Sequence, residues 1–92
     1  KNWVELLEHV VKVRNTTLDE HHPSRLASHH ELAGAYGDNG QTREAVELLE
    51  YVVKVEETTL DEHHPDRLAS QHALAGAYQA NGQTRKAVEL LE

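Results

Sequence analysis

Thr17–Glu50 reads TLDEHHPSRLASHHELAGAYGDNGQTREAVELLE, and Thr59–Glu92 reads TLDEHHPDRLASQHALAGAYQANGQTRKAVELLE. The second stretch is the first moved on by 42 residues, and residues 1–14 repeat again against residues 43–56. At that offset 38 of the 50 alignable positions are identical. A fixed period within roughly 20 to 50 residues is the signature of a solenoid, whose units stack because none can bury its apolar face alone. Solenoids offer an extended surface, so binding is the first functional expectation and catalysis a distant one.

The punctuation inside each copy is helical. Pro65 with Asp66 beside it is a start signal, because proline suits a first helical turn and an acid complements its positive end. Leu68, Ala69, Leu74, Ala75 and Tyr78 follow at helical spacing. Asn81-Gly82 stops the run, since glycine takes the left-handed cap conformation readily. The first copy has the same helix from Pro23, ended by Asn39-Gly40. We term this helix A. Helix B starts near Thr42, and Ala45, Val46, Leu48, Leu49, Val52, Val53 and Val55 give it an apolar stripe wide enough for two neighbours. An Asn-Gly pair also marks two-residue hairpins, but its flanks here have helical period. The predicted order is B (1–16), A (23–38), B (42–58), A (65–80) and a B stub (84–92), with repeat one over 17–58 and a truncated repeat two over 59–92 in a single domain. Linkers this short force antiparallel helix pairs.

Composition narrows the function. The chain has 92 residues, 38% of them hydrophobic, with no Phe, Met or Cys. Leu, Val and Ala suit closely approaching helices, and disulfides and thiolate metal sites are excluded. The net charge of −7 without a basic run speaks against nucleic acid and anionic membrane. No apolar stretch approaches the roughly 18 residues of a span. Lys1 aligns with Arg43 and Glu92 with Glu50, both inside helical pattern, as expected of a segment cut from a longer array. Its ends are expected to expose Trp3, Val4, Leu7 and Val11 on one side and Val88, Leu90 and Leu91 on the other, and hence to self-associate.

Leu74, Ala75 and Tyr78, then Ala87 and Leu91, have the L-[GA]-x-x-Y … A-x-x-x-[FL] spacing of a tetratricopeptide repeat, and Leu32, Ala33, Tyr36, Ala45 and Leu49 match in the first copy. The chain is identified on these residues as resembling that family. The 42-residue period and the HPD sequence before helix A resemble the kinesin-light-chain subtype. The near-identity of the copies, with LASxHxLAGAY and GQTREAVELLEYVV, is also similar to the C-terminal arrays of fungal NLR-type (STAND) receptors. The resemblance implies an all-α, right-handed superhelical solenoid of antiparallel helix pairs. It implies a cytoplasmic protein-interaction module, with a protein or peptide partner, no cofactor and no enzymatic activity.

The resemblance also implies that helix A forms the inner wall. Its register places Ala27, His30, Glu31, Gly34 and Asp38 there in copy one, and Ala69, His72, Ala73, Gly76 and Ala80 in copy two, with Arg25 and Arg67 at the rim. Kinesin light chains have asparagine where Glu31 and Ala73 stand, so this chain departs from their cargo-holding pattern. Between 17–50 and 59–92 the copies differ at Ser24/Asp66, His29/Gln71, Glu31/Ala73, Gly37/Gln79, Asp38/Ala80 and Glu44/Lys86. Most of these fall on helix A, which suits a recognition surface on a repeated frame. Gly34 and Gly76 sit inside a helix, where glycine costs about 1 kcal/mol relative to alanine. Close approach of another helix, or a partner lying against bare backbone, would each account for that. Ala33, Ala75, Ala45 and Ala87 are expected at the A–B contact, and Tyr36 and Tyr78 between neighbouring pairs.

Eight histidines invite a metal reading, which the spacing does not support. His21-His22, His29-His30 and His63-His64 are adjacent, and neighbours on a helix point about 100° apart. No H-x-x-x-H pair or HExxH motif places two ligands on one helical face. His22-Pro23 and His64-Pro65 are expected to cap helix A. No catalytic triad order, phosphate loop or metalloprotease motif is present.

Overall fold

The computed structural model describes residues 2–92. Five helices follow one another: α1 (Trp3–Thr17), α2 (Pro23–Asp38), α3 (Thr42–Thr59), α4 (Pro65–Ala80) and α5 (Thr84–Leu91). There is no strand among the described residues. Helices α2 and α4 are the A helices, and α1, α3 and α5 the B helices. The sequence-predicted spans agree within one or two residues.

Local chemistry sets the ends. His22 Nδ1 accepts from Ser24 N, and His64 Nδ1 from Asp66 N, each at 3.1 Å. Each imidazole thus satisfies one of the free N–H groups of a helix start. The A helices stop at Asn39 and Asn81, and Gly40 (φ 78°) and Gly82 (φ 77°) take the left-handed conformation that turns the chain. The turns are tied together, with Thr42 Oγ1 donating to Asn81 Oδ1 at 2.8 Å.

Each helix packs on its sequence neighbours, and α2 also touches α4. The result is a slab of 36 × 31 × 15 Å, with the A helices as one layer and the B helices as the other. The largest core cluster joins Ala33 of α2, Val46, Leu49 and Val53 of α3, Leu74, Ala75 and Tyr78 of α4, and Ala87 of α5. A second joins Val4, Leu7 and Val11 of α1 to Leu32 and Ala35 of α2.

Two expectations about the ends need correction. Val4, Leu7 and Val11 are buried, because that face of α1 meets α2. The apolar side chains that α1 leaves in solvent are Trp3, Leu6 and Val13. At the other end Val88 and Leu91 are exposed as expected, but Leu90 packs partly against the core. Leu91 aligns with Leu49, which is 4% exposed where Leu91 is 54%. Leu49 packs in one cluster with Leu74 and Ala75 of α4, a contact that Leu91 lacks among the described residues.

Candidate functional site

The A layer holds two concavities. One, of about 410 Å³, runs between α2 and α4. Its walls carry His30, Gly34, Gly37, Ala73, Gly76 and Ala80, and its floor is Thr42, Ala45 and Leu49 of α3. The groove is wide because its walls are small. A Cβ built on Gly34 or Gly76 would meet nothing within 4 Å. Close approach of another helix is therefore not why glycine stands at either position. Both glycines border open space in the groove.

The other residues of the expected inner face divide. Ala27, Glu31, Asp38, Ala69, His72 and Ala80 are exposed. Ala73 is half-buried against the main core. His30 is half-buried and bridges the A helices, its Nε2 lying 2.8 Å from Ser70 Oγ. Ser70 Oγ donates to Asp66 O at 3.0 Å, so His30 Nε2–H is the donor of that bridge.

Arg25 and Arg67 are not free rim residues. Arg25 Nη1 donates to Asn15 O and Leu18 O, each at 3.3 Å, and Arg67 Nη1 donates to Leu60 O at 3.1 Å. Both guanidinium groups cover carbonyls at the end of the preceding B helix, where the helix dipole favours a cation. They lock the B-to-A loop.

The repeat-signature residues hold the helices in register. Ala33 and Ala75 are 2% and 5% exposed at the A–B contact, and Ala45 and Ala87 answer them at 3% and 8%. Leu32, Leu49 and Leu74 are also buried. Tyr36 donates to Glu8 Oε2 at 2.7 Å, and Tyr78 to Glu50 Oε2 at 2.6 Å, each stapling an A helix to the B helix before it. Burial, reinforced by that carboxylate, pushes both phenols up to about 12. His29 is buried and meets Tyr51 edge-on at 5.4 Å between ring centroids. Burial, and secondarily Arg25, holds its imidazole below the ordinary value.

The second concavity was not singled out by sequence. It is a cleft of about 510 Å³ between the N-terminal halves of α2 and α4 and the C-terminal end of α3. Glu56 lines it, buried, with Oε1 unpartnered. Among the described residues no group of three or more His, Asp or Glu is arranged to hold a metal ion. No helix among them is long and apolar enough to cross a membrane.

Residues 25–66 match a tetratricopeptide repeat family model. The crystal structure of nearly identical TPR-like repeats from a Podosopora anserina candidate kinesin light chain superposes with a TM-score of 0.90 at 66% identity. A single-substitution variant of that protein gives 0.90 at 65%. Both comparisons cover 96% of this chain and 42% of the other, so the chain spans less than half the length of either of these two. None of the curated proteins matches it.

Proposed function

This chain belongs to the tetratricopeptide-repeat family, and on that footing we propose that it binds a protein or peptide along the groove between its A helices. The observation that carries this reading is the pair Gly34 and Gly76. Each gives up about 1 kcal/mol of helix stability relative to alanine, and nothing within the chain needs the space. A ligand backbone pressed against the bare helix does need it. Gly34→Ala with Gly76→Ala should weaken a ligand while the outer-face change Glu47→Ala leaves it untouched. The opposite pattern would place binding on the B layer.

The module acts within a larger cytoplasmic protein. The near-identity of the copies favours the sensing segment of an NLR-type receptor, in which arrays of this kind meet the ligand. A kinesin-light-chain-like adaptor is the second reading, favoured by the likeness to the candidate kinesin light chain repeats. A nucleotide-binding P-loop elsewhere in the parent sequence supports the first, and a heptad coiled coil the second.

As a 92-residue chain the array also presents surfaces that its interior copy buries. Trp3, Leu6 and Val13 align with Ala45, Leu48 and Val55, and Val88 and Leu91 with Val46 and Leu49. All five interior counterparts are buried or half-buried. Self-association through these ends is the expected consequence. Sedimentation across a concentration series should show it, and an added polar capping helix should return the chain to monomer. A monomer at millimolar concentration without the cap would contradict it.

A further inference from the structure

The two B-to-A junctions differ at Arg14/Glu56, Asn15/Glu57 and Ser24/Asp66, and each difference makes the second more acidic. Arg14 of α1 aligns with Glu56 of α3, and Ser24 of α2 with Asp66 of α4. At the first junction Arg14 Nη1 donates to Ser28 Oγ at 2.6 Å and to Ser24 O at 2.9 Å. The guanidinium sits in the last turn of α1, where the helix dipole favours a cation.

At the second junction the same place holds a carboxylate. Ser70, the counterpart of Ser28, gives its proton to Asp66 O and accepts from His30 Nε2. It has no donor left for Glu56. Glu56 is 4% exposed, its Oε1 has no hydrogen-bond partner, and it lies in the last turn of α3, the unfavourable end of that helix for an anion. Asp66 has a sufficient local reason for being acidic, since it stands in the first turn of α4. Glu56 has none. A buried carboxylate without a donor destabilises the fold unless something pairs it.

We infer that the 510 Å³ cleft takes an arginine side chain of a partner protein, its guanidinium pairing with Glu56. Asp66 and His30 line the same cleft, and Leu26, Ala69 and Leu60 supply apolar wall for the stem. A planar guanidinium suits a carboxylate better than an ammonium does, because its fork donates two parallel hydrogen bonds. The net charge of −7 draws basic ligands toward the surface. The arginine comes from the protein ligand proposed above, so the site rests on that reading for its occupant.

The test is a titration of the 92-residue chain with N-acetylarginine methylamide and its neutral isostere N-acetylcitrulline methylamide, followed by amide NMR. The arginine probe should shift Thr59, Asp66 and Ser70, with the citrulline probe far weaker. Glu56→Gln should weaken the arginine response about tenfold or more, as expected for loss of a charged hydrogen-bond partner. Glu56→Arg recreates the copy-one residue and should abolish the response while melting at or above the parent temperature. Equal responses to both probes, a response that survives Glu56→Arg, or none at tens of millimolar arginine probe would each overturn the inference. Peptides that bind Glu56→Arg as well as the parent would retire the arginine cleft and leave the protein-binding reading standing. An intact arginine response in a chain that binds no peptide would do the reverse.

Discussion

Replacing Gly34 and Gly76 by alanine should make this protein more stable and a poorer binder. Both residues lie inside A helices with ordinary negative φ, so alanine fits their backbone. The added Cβ meets nothing within 4 Å at either site, so no packing penalty offsets the gain in helix propensity. Each substitution should then contribute about 0.8–1 kcal/mol. The two should add, since neither methyl has a neighbour through which to couple. For a domain of this size about 1 kcal/mol moves the melting temperature by ~4–8 °C, so the double variant should melt ~6–16 °C higher. Thermal unfolding followed by circular dichroism reads this directly, and urea unfolding should show a higher midpoint at unchanged slope. A melting temperature at or below the parent value for either single variant would refute the reasoning. It would mean that the backbone at that position is already in contact with something.

Three further outcomes follow from the packing. Ala75→Leu overfills the A–B contact, where Ala75 is 5% exposed, and should destabilise by roughly 1–3 kcal/mol. Ala80→Leu at the exposed end of α4 should stay within about 0.5 kcal/mol, and equal melting temperatures would show the contact misplaced. Arg67→Ala removes the donor to Leu60 O and should cost about 1 kcal/mol; an unchanged urea midpoint would remove its role in locking the loop. His29 is held below its ordinary value by burial and by Arg25, so the unfolded chain binds its proton first. The contribution of His29 to stability should therefore be flat above about pH 6.5, fall as the pH drops toward the lowered folded value, and level off below it. His29→Gln, the residue that copy two has at Gln71, should flatten that fall, and an unchanged slope would assign it to other groups.

The helix plan was legible because its signals are local. Pro23 and Pro65 start helices, Gly40 and Gly82 turn them, and a strict 42-residue period ties the copies together. Which face of a helix meets which neighbour was not local. Helix α1 is apolar on both sides, and its own sequence does not say whether Val4, Leu7 and Val11 or Trp3, Leu6 and Val13 turn toward α2. Alignment of Val4 with Val46 carries that information, since the interior copy repeats the same contacts. The bonds of Arg25 and Arg67 to the preceding helix end were not legible, because a long polar side chain at a helix start reads as rim until the carbonyls of that helix are in view. Glu56 was missed for a related reason. A glutamate near a helix end looks solvated, and only the approach of α2 and α4 buries it.

Mapping where ligands bind puts the function to its most direct trial. Peptides selected from a random library for binding to the chain should perturb amide resonances along the A layer, clustered at Gly34, Ala73 and Gly76, and leave Glu5, Lys12 and Lys54 on the B helices unmoved. Perturbations confined to α1, α3 and α5, or a library that yields no binder, would contradict a tetratricopeptide array that recognises its partner along the inner groove.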